Sequence, residues 1–367
     1  MKIALLGTRG IPANYGGFET FAEELSVRLV ARGHQVTVYC RTQNVGPWEP
    51  LFRGVELVLL PAIRHKYLDT VVHTYFSTLH LLSHRREIAL YCNAANAIFT
   101  IAPRLLGIPT VLNVDGLERK RRKWNAPARG WYRLSERLAT WFPSAVVTDA
   151  AVIQNYYLER YRKTTRLIAY GSQAGKLETS KALDRLGLRP GEYFLYVSRL
   201  EPENNALLVV KAFERTSHRR KLVIVGDAPY SHDYIRRVKQ TQDPRILFSG
   251  SIYGTGYHEL LSHCFAYIHA TEVGGTHPAL IEAMGRGCCV LFLDTPENRE
   301  VLGDVGFPYQ PSEDALASTL NHVAALSRDE RLRMGQAAME AARRRYDWEA
   351  IVDQYARLFA EALEKTG

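Results

Sequence analysis

The segment Glu272-Val273-Gly274-Gly275-Thr276-His277-Pro278-Ala279-Leu280-Ile281-Glu282-Ala283-Met284 holds the residue types that can bind a phosphorylated ligand. It follows an apolar run, Ala266–His269, and leads into a helix-like stretch. A glycine-rich turn lets backbone N–H groups approach an anion closely. The helix start adds the positive end of its dipole. Glu282, one turn into that helix, can accept two hydrogen bonds from a ribose. Strand, Gly-Gly turn and helix with a carboxylate together suit a nucleoside diphosphate.

Other loops offer complementary chemistry. Gly7-Thr8-Arg9-Gly10-Ile11-Pro12-Ala13-Asn14-Tyr15-Gly16-Gly17 follows an apolar run and opens a helix-like stretch. Arg9 and Pro12 break a dinucleotide fingerprint, and no Gly-Lys-Ser/Thr follows, so it is not a P-loop. Gly16 and Gly17 at a helix start still offer an anion seat, against the alternative of a plain turn. Arg199, after Tyr193–Val197, has a rigid donor fork that matches phosphate oxygens. Gly226, after Lys221–Val225, and Ile252 with Tyr253, after Ile246–Phe248, line the same run of strand ends. The latter two suit a nucleobase; core packing is the competing reading. Asp115 ends another strand and suits a sugar hydroxyl, or else caps a turn. His269 and His277 flank the glycine turn.

The run Arg119-Lys120-Arg121-Arg122-Lys123-Trp124 continues through Arg129, Trp131, Tyr132, Arg133, Arg137, Trp141 and Phe142. Basic residues mixed with interfacial aromatics fit an anionic lipid surface or an acceptor phosphate. A solvated charged face is the ordinary alternative. No nucleic-acid module signature appears, so nucleic acid is not expected as a partner. Residues 1–170 hold 23 Lys and Arg against 12 Asp and Glu, whereas 171–367 hold 24 against 26. The excess of +9 is therefore a property of the first half, whose partners are expected to be anionic. Five cysteines without CxxC spacing point to neither a disulfide framework nor a zinc site, and to a reducing cytoplasm. Asp-x-Asp, GxSxG and HExxH are all absent from the sequence, and no metal is expected. No apolar run reaches the roughly 18 residues of a membrane span.

These loops need a scaffold, and the periodicity supplies one. Short apolar runs alternate with amphipathic stretches: Ile3–Gly7, a helix Phe18–Ala31, Gln35–Cys40, Val55–Leu60, a helix Leu68–Ser83, Ile88–Cys92, a helix Ala94–Leu106, Thr110–Val114 and Ala145–Thr148. A second alternating series starts after Gly171, with strands at Tyr193–Val197, Lys221–Val225, Ile246–Phe248, Ala266–His269 and Cys289–Leu293. The pattern predicts two doubly wound α/β domains facing a cleft, 1–171 and 172–346, with a linker at Ser172–Ala182. A final helix, 347–367, places Trp348, Ile351, Val352, Tyr355, Leu358 and Phe359 on one face. Ligands bind beyond the carboxyl ends of parallel strands, where the candidate residues fall.

Taken together, Gly7–Thr20, Val114–Trp124, Arg199–Asn205, Val225–Tyr234 and Val273–Met284 resemble the GT-B glycosyltransferases of family 4, and within them a bacterial rhamnosyltransferase-like subgroup. The resemblance runs over nearly the whole chain. It implies twin Rossmann-like domains, an N-terminal one for the acceptor and a C-terminal one for the nucleotide-sugar. It also implies a last helix crossing back to the first domain, and metal-independent transfer with retained configuration. Asp115, Arg199 and Glu282 become the catalytic candidates. Gly16, Gly17, Arg199, Asn204, Gly226, Ile252, Tyr253, Gly274, Gly275, Thr276 and Glu282 become donor-binding candidates. Three positions depart from the family pattern. Asn204 stands where a phosphate-binding Lys is usual, Gly274 where the first of two paired Glu is usual, and Asp115 where a His is common. A His there can touch the donor's C6 hydroxyl, so its loss favours a 6-deoxy sugar such as that of dTDP-rhamnose over a UDP- or GDP-sugar. The expected acceptor is a saccharide or lipid-diphosphate-saccharide used in cell-surface polysaccharide synthesis. Arg119–Arg137 would rest on the inner face of the cytoplasmic membrane. Rival readings are a sugar-nucleotide 2-epimerase and a non-catalytic nucleotide-sugar-binding protein.

Overall fold

The computed structural model describes residues 1–14, 16–43, 49–63, 65 and 67–366. Tyr15 of the first glycine loop lies outside the described residues. The chain divides into two units, Met1–Tyr170 with Trp348–Gly367, and Gly171–Asp347.

In the first unit, β1 (Lys2–Leu6), α1 (Gly17–Ala31), β2 (Gln35–Arg41), β3 (Leu51–Phe52), β4 (Val55–Leu60) and α2 (Asp69–Ser83) come first. They are followed by β5 (Ile88–Cys92), α3 (Ile101–Leu105), β6 (Thr110–Asn113), α4 (Ala126–Ala139), β7 (Ala145–Thr148), α5 (Ala151–Tyr161) and β8 (Arg166–Leu167). The sheet order is β3-β4-β2-β1-β5-β6-β7-β8, with all pairs parallel except β3–β4. β5 and β6 are buried throughout and β1 from Ile3 onward, as expected where helices cover both faces of a parallel sheet. The chain winds outward from β1 to β4 and then returns to β5 on the other side of β1. That reversal opens a crevice at the carboxyl ends of β1 and β5.

The second unit contains α6 (Lys181–Arg185), β9 (Tyr193–Val197), α7 (Ala206–Glu214), β10 (Lys221–Val225), α8 (His232–Val238), β11 (Ile246–Gly250), α9 (Gly254–His263) and β12 (Ala266–His269). Then come α10 (Pro278–Gly285), β13 (Val290–Leu293), α11 (Pro296–Leu302), β14 (Phe307–Tyr309), α12 (Glu313–Ala325) and α13 (Arg328–Arg345). Its all-parallel sheet runs β11-β10-β9-β12-β13-β14, which puts the reversal between β9 and β12. Phe194, Tyr196, Phe213, Leu222 and Leu291 sit at the centre of its core. The last helix, α14 (Trp348–Glu364), belongs to the first unit. Its buried face is Trp348, Ile351, Val352, Tyr355, Leu358 and Phe359 with Ala362. Tyr355 packs on Phe21 of α1 with ring centroids 5.3 Å apart, and its hydroxyl accepts from the Asn113 amide at 2.9 Å.

Two sequence expectations change, and the edge strand β14 is one the periodicity did not mark. The helix expected over Ala94–Leu106 is a 3-10 stretch, Ala94–Thr100, followed by the five-residue α3. Asn93, at φ 75°, opens it and its side chain accepts from Ala95 N–H, while the Asn96 amide turns back to the Cys92 carbonyl at 2.7 Å. The polar segment Ser172–Ala182 is not a loose linker. Ser172 N–H donates to the Tyr346 carbonyl, Gly175 N–H to the Gly285 carbonyl and Leu177 N–H to Ser262 Oγ, so the segment is pinned along the second unit. β14 carries Pro308 in its middle and sits at the sheet edge, where a missing N–H is tolerated.

Candidate functional site

The second unit gathers its candidates at the β9–β12 reversal. The loops after these two strands are bonded to each other. Glu272 N–H donates to the Glu203 carbonyl at 3.0 Å, and the Asn205 amide donates to the Ala270 carbonyl and to Glu272 Oε1. Arg199 leaves the end of β9 half-buried, with Nη1 3.9 Å from Glu201 Oε2. Asn204, five residues on, is nearly buried. Its amide donates to the Arg199 carbonyl at 2.7 Å, and its own carbonyl accepts from Tyr196 Oη at 2.5 Å. Asn204 therefore shapes the turn that carries Arg199. Gly226, at φ 140°, crosses the β9 end so closely that a Cβ would lie 1.8 Å from the Ser198 carbonyl oxygen. Only glycine fits there, and the crossing draws the β10 loop against the Arg199 loop.

The glycine turn after β12 is buried through Gly274, Gly275, Thr276 and His277, and leads into α10 with His277 at the N-cap and Pro278 at the first position. Gly274 has no positive φ to explain it. A Cβ there would lie 2.3 Å from Cε1 and 2.8 Å from Nδ1 of His277, so Gly274 is the floor on which that imidazole rests. His269, beneath, has its ring centroid 4.8 Å from that of His277. Burial pushes its pKa down to about 3, which keeps it neutral. Glu282, half-buried on α10, accepts from Tyr257 Oη of α9 at 2.8 Å. Burial first, and then the Glu282 charge, hold the Tyr257 phenol well above its usual range, so it acts as a donor. Ile252 and Tyr253 follow β11, the outermost strand, with Tyr253 exposed.

In the first unit, Asp115 follows β6 at φ 53°, its N–H donating to Asn113 Oδ1 at 3.0 Å. Tyr170 Oη donates to Asp115 Oδ1 at 3.1 Å, and the Asp115 carboxyl is also hydrogen-bonded to the side chain of Asp149. Burial raises the Asp115 pKa and Glu118 adds to the rise, while Arg121 and the hydrogen bonds with Tyr170 and Asp149 oppose it. Gly16 is the N-cap of α1 and Gly17 its first residue. Gly16 is extended, a conformation open to any residue. Buried Glu19, in the first turn of α1, accepts from Arg9 N–H of the preceding loop at 2.9 Å.

Sequence reasoning missed Tyr257, Asp149 and Tyr170. Asp149 stands directly after a strand, as Asp115 does, so strand-end position was its available signal. Tyr257 and Tyr170 have no such mark. The basic run divides. Arg119 turns inward to Glu136 at 3.0 Å and Tyr156 at 2.9 Å, and Arg121 is buried against Glu118 at 2.5 Å. Trp124 packs on Tyr132. Arg129, Arg133 and Arg137 form an exposed stripe at four-residue spacing along α4.

Two family models match. "Glycosyl transferase 4-like domain" covers residues 16–171, and "Glycosyl transferases group 1" covers 183–341. The chain belongs to the group 1 glycosyltransferases, with a glycosyl transferase 4-like N-terminal domain. A curated relative from Campylobacter jejuni, N-acetylgalactosamine-N,N'-diacetylbacillosaminyl-diphospho-undecaprenol 4-alpha-N-acetylgalactosaminyltransferase, is 25% identical over 155 residues, 42% of this chain and 42% of the relative. Solved structures match over nearly the whole chain. Sucrose-phosphate synthase from Thermosynechococcus elongatus gives a TM-score of 0.82 at 18% identity, covering 99% of both chains. Anabaena HepE in complex with UDP and glucose gives 0.80 at 19% identity, covering 98% of this chain and 99% of that one. The fold is thus the pair of parallel-sheet α/β domains found in GT-B glycosyltransferases.

Proposed function

We propose that the chain moves a hexosyl or deoxyhexosyl group from a nucleotide-sugar to a saccharide or lipid-linked saccharide, retaining configuration and using no metal. The observation that carries this reading is the β9–β12 edge of the second unit, where the Arg199 loop is bonded to the loop that leads through Gly275–Thr276 into α10, and α10 carries the Tyr257-held Glu282. Arg199 and the α10 N–H groups meet the diphosphate and stabilise the negative charge that develops as it leaves. Glu282 takes the ribose hydroxyls, aligned by Tyr257. Ile252 and Tyr253 flank the base. In the transfer, the bond from the anomeric carbon to the phosphate oxygen breaks and a bond to the acceptor oxygen forms. The acceptor proton passes to the departing phosphate, so no enzyme nucleophile is required. Asp115 orients a sugar hydroxyl.

The favoured donor is dTDP-rhamnose, on the strength of Asp115 and Gly274. Both positions also have local explanations, the Tyr170–Asp149 contacts and the His277 ring. Comparable kcat/KM with UDP-glucose and dTDP-rhamnose would remove this part of the reading. The basic stretch Arg119–Arg137 is assigned to the anionic inner face of the cytoplasmic membrane, through exposed Arg129, Arg133 and Arg137 rather than the inward-turned Arg119 and Arg121. The deciding experiment is thermal shift against a panel of nucleotides and nucleotide-sugars, with Arg199→Ala and Glu282→Ala alongside. A ligand that binds only the folded state raises the melting point. A shift with one nucleoside diphosphate, lost in both variants, supports the donor site and names the base. A flat response across the panel overturns it.

A further inference from the structure

Helix α2 is built inside out. The side chains it buries are mainly polar: His73, Thr74, Ser77 and Thr78 face the protein interior. The side chains it turns outward include Tyr75, Phe76 and Leu79, each at least 40% exposed. Two of the three buried hydroxyls are satisfied within the helix, while Thr74 Oγ1 is left without a partner among the described residues. Ser77 Oγ donates to the His73 carbonyl and Thr78 Oγ1 to the Thr74 carbonyl, both at 2.8 Å. His73 is kept neutral, its pKa pushed down to about 3 by burial and then by Arg41. A soluble helix ordinarily places its apolar stripe inward. This helix fills its inner face with polar groups and presents its aromatic residues to the outside.

The outward apolar face does not stop at α2. The Tyr75 ring lies tilted against Phe99, with centroids 6.4 Å apart, and α2 packs on α3, which ends in Leu105 with Leu106 following. These two leucines are 78% and 53% exposed. Arg104 of α3 donates to the Trp141 and Phe142 carbonyls at 2.8 and 2.9 Å, so the patch continues to the end of α4, where Trp141 is 56% exposed. Its flanking charge is mostly basic, with exposed Glu87 beside Arg86 as an exception. Arg85 donates to the Leu106 carbonyl, and Arg137 lies 5.1 Å from the Trp141 ring centroid. No Asp or Glu occurs from Thr70 to Arg86 or from Ile88 to Val114. The two carboxylates on these helices are buried, Asp69 against Arg41 at 2.6 Å and Glu136 against Arg119.

We propose that this patch is a docking surface for an anionic lipid bilayer. Tyr75, Phe76, Leu79, Leu105, Leu106 and Trp141 enter the boundary between headgroups and acyl chains, while Arg85, Arg104 and Arg137 meet headgroup phosphates. Apolar aromatics flanked by arginine, with the carboxylates of α2 and α4 buried, complement an apolar layer under negative headgroups. No helix among the described residues is long and apolar enough to cross a membrane, so the contact is one of lying on the surface. The proposal rests on the lipid-linked acceptor reading for its purpose. It moves the principal contact from the basic stretch to the outer face of α2 and α3.

The test is co-flotation with vesicles of phosphatidylcholine alone and of phosphatidylcholine with phosphatidylglycerol. The wild-type chain is expected to float with the phosphatidylglycerol vesicles. Tyr75→Ser with Phe76→Ser and Leu79→Ser is expected to lower partitioning by about tenfold or more at every salt concentration. Leu105→Ser with Leu106→Ser, at the most exposed positions, is expected to act in the same direction and guards against a folding defect in the first variant. Arg133→Gln with Arg137→Gln is expected to weaken binding at low salt and to matter little at high salt. Flotation of both serine variants like wild type overturns the proposal. So does an absence of vesicle binding together with a dimer, seen by analytical ultracentrifugation, that the serine variants lose, since the patch would then cover a second copy. Nucleotide-induced thermal shift, measured on the same samples, reports the donor site separately.

Discussion

Tyr257 and Glu282 form a pair whose two members should fail differently. Removing Glu282 takes away the proposed ribose ligand itself, whereas Tyr257→Phe keeps the packed ring and removes the hydroxyl that aligns it at 2.8 Å. A hydrogen bond to a charged group is worth about 1.5–3 kcal/mol. Tyr257→Phe is therefore expected to raise the donor dissociation constant by roughly tenfold, measured by titration calorimetry, with a smaller change in melting point. Gly274 gives a sharper test, because its smallness is explained by another side chain. Gly274→Ala forces a methyl to 2.3 Å from the His277 ring and should destabilise by about 1–3 kcal/mol. Adding His277→Ala should return much of that loss, a coupling that independent sites would not show. Asp115 predicts a pH dependence. Its pKa is raised in the folded protein, so the fold gains from its protonation at low pH. That contribution is present below the ordinary carboxyl value and is lost as pH rises through the raised one. Asp115→Asn cannot lose it. The melting-point difference between Asp115→Asn and wild type should therefore shift in the variant's favour from about pH 4 upward, where an unfolded Asp ionises. A difference that stays flat with pH would mean that Asp115 is ionised throughout.

The donor edge depends on how α10 is seated, and α13 seats it. Gly335, in the middle of α13, lies so close to the turn after α10 that a Cβ would be 2.2 Å from the Gly287 carbonyl oxygen. Helix propensity alone favours Gly335→Ala by up to about 1 kcal/mol. The contact reverses that sign: we expect destabilisation of about 2 kcal/mol or more, since the obstacle is backbone and α10 must move. Because α10 carries Glu282 and begins at the glycine turn, nucleotide binding should weaken as well. Ser327→Ala provides the contrast. Ser327 and Glu330 form a reciprocal cap at the α13 start, with Glu330 N–H donating to Ser327 Oγ at 3.2 Å and Ser327 N–H to Glu330 Oε2 at 2.9 Å. Losing the cap costs about 1 kcal/mol far from the turn, so the melting point should fall while nucleotide affinity stays the same. Equal effects of the two substitutions on affinity would show that α13 does not set the position of α10.

Elements with a strong period were legible in the sequence: the buried runs of β1, β5, β9 and β12, and the Trp348–Phe359 face of α14. Arg199, Gly275 and Glu282 were legible as candidates because strand ends and a glycine turn carry local marks. What a single sequence does not show is which distant group fills a space. Nothing in the spacing says that His277 lies over Gly274, that Tyr257 reaches Glu282, or that Arg119 turns to Glu136. Those follow from packing between elements far apart in the chain. The inverted α2 was hidden for a related reason, since a mixture of Thr, Ser, Leu and aromatics fits either face until the sheet is in place. The division of the chain has a consequence of its own. Gly171–Asp347 is continuous and contains its entire sheet, while the other unit is completed by α14 from the far end of the sequence. Without α14, Phe21 would lose its contact with Tyr355, and the buried Asn113 amide would lose the Tyr355 hydroxyl as its acceptor. A buried donor left unpaired costs about 1–3 kcal/mol, in addition to the apolar area uncovered along the helix. A fragment of residues 171–347 is therefore expected to melt cooperatively and to keep the nucleotide-induced shift. A fragment of residues 1–170 should not melt cooperatively until a peptide of residues 346–367 is added in trans. Folding of 1–170 alone would show that α14 is dispensable to the first unit. A 171–347 fragment that melts cooperatively but gives no nucleotide shift would place part of the donor site outside the second unit.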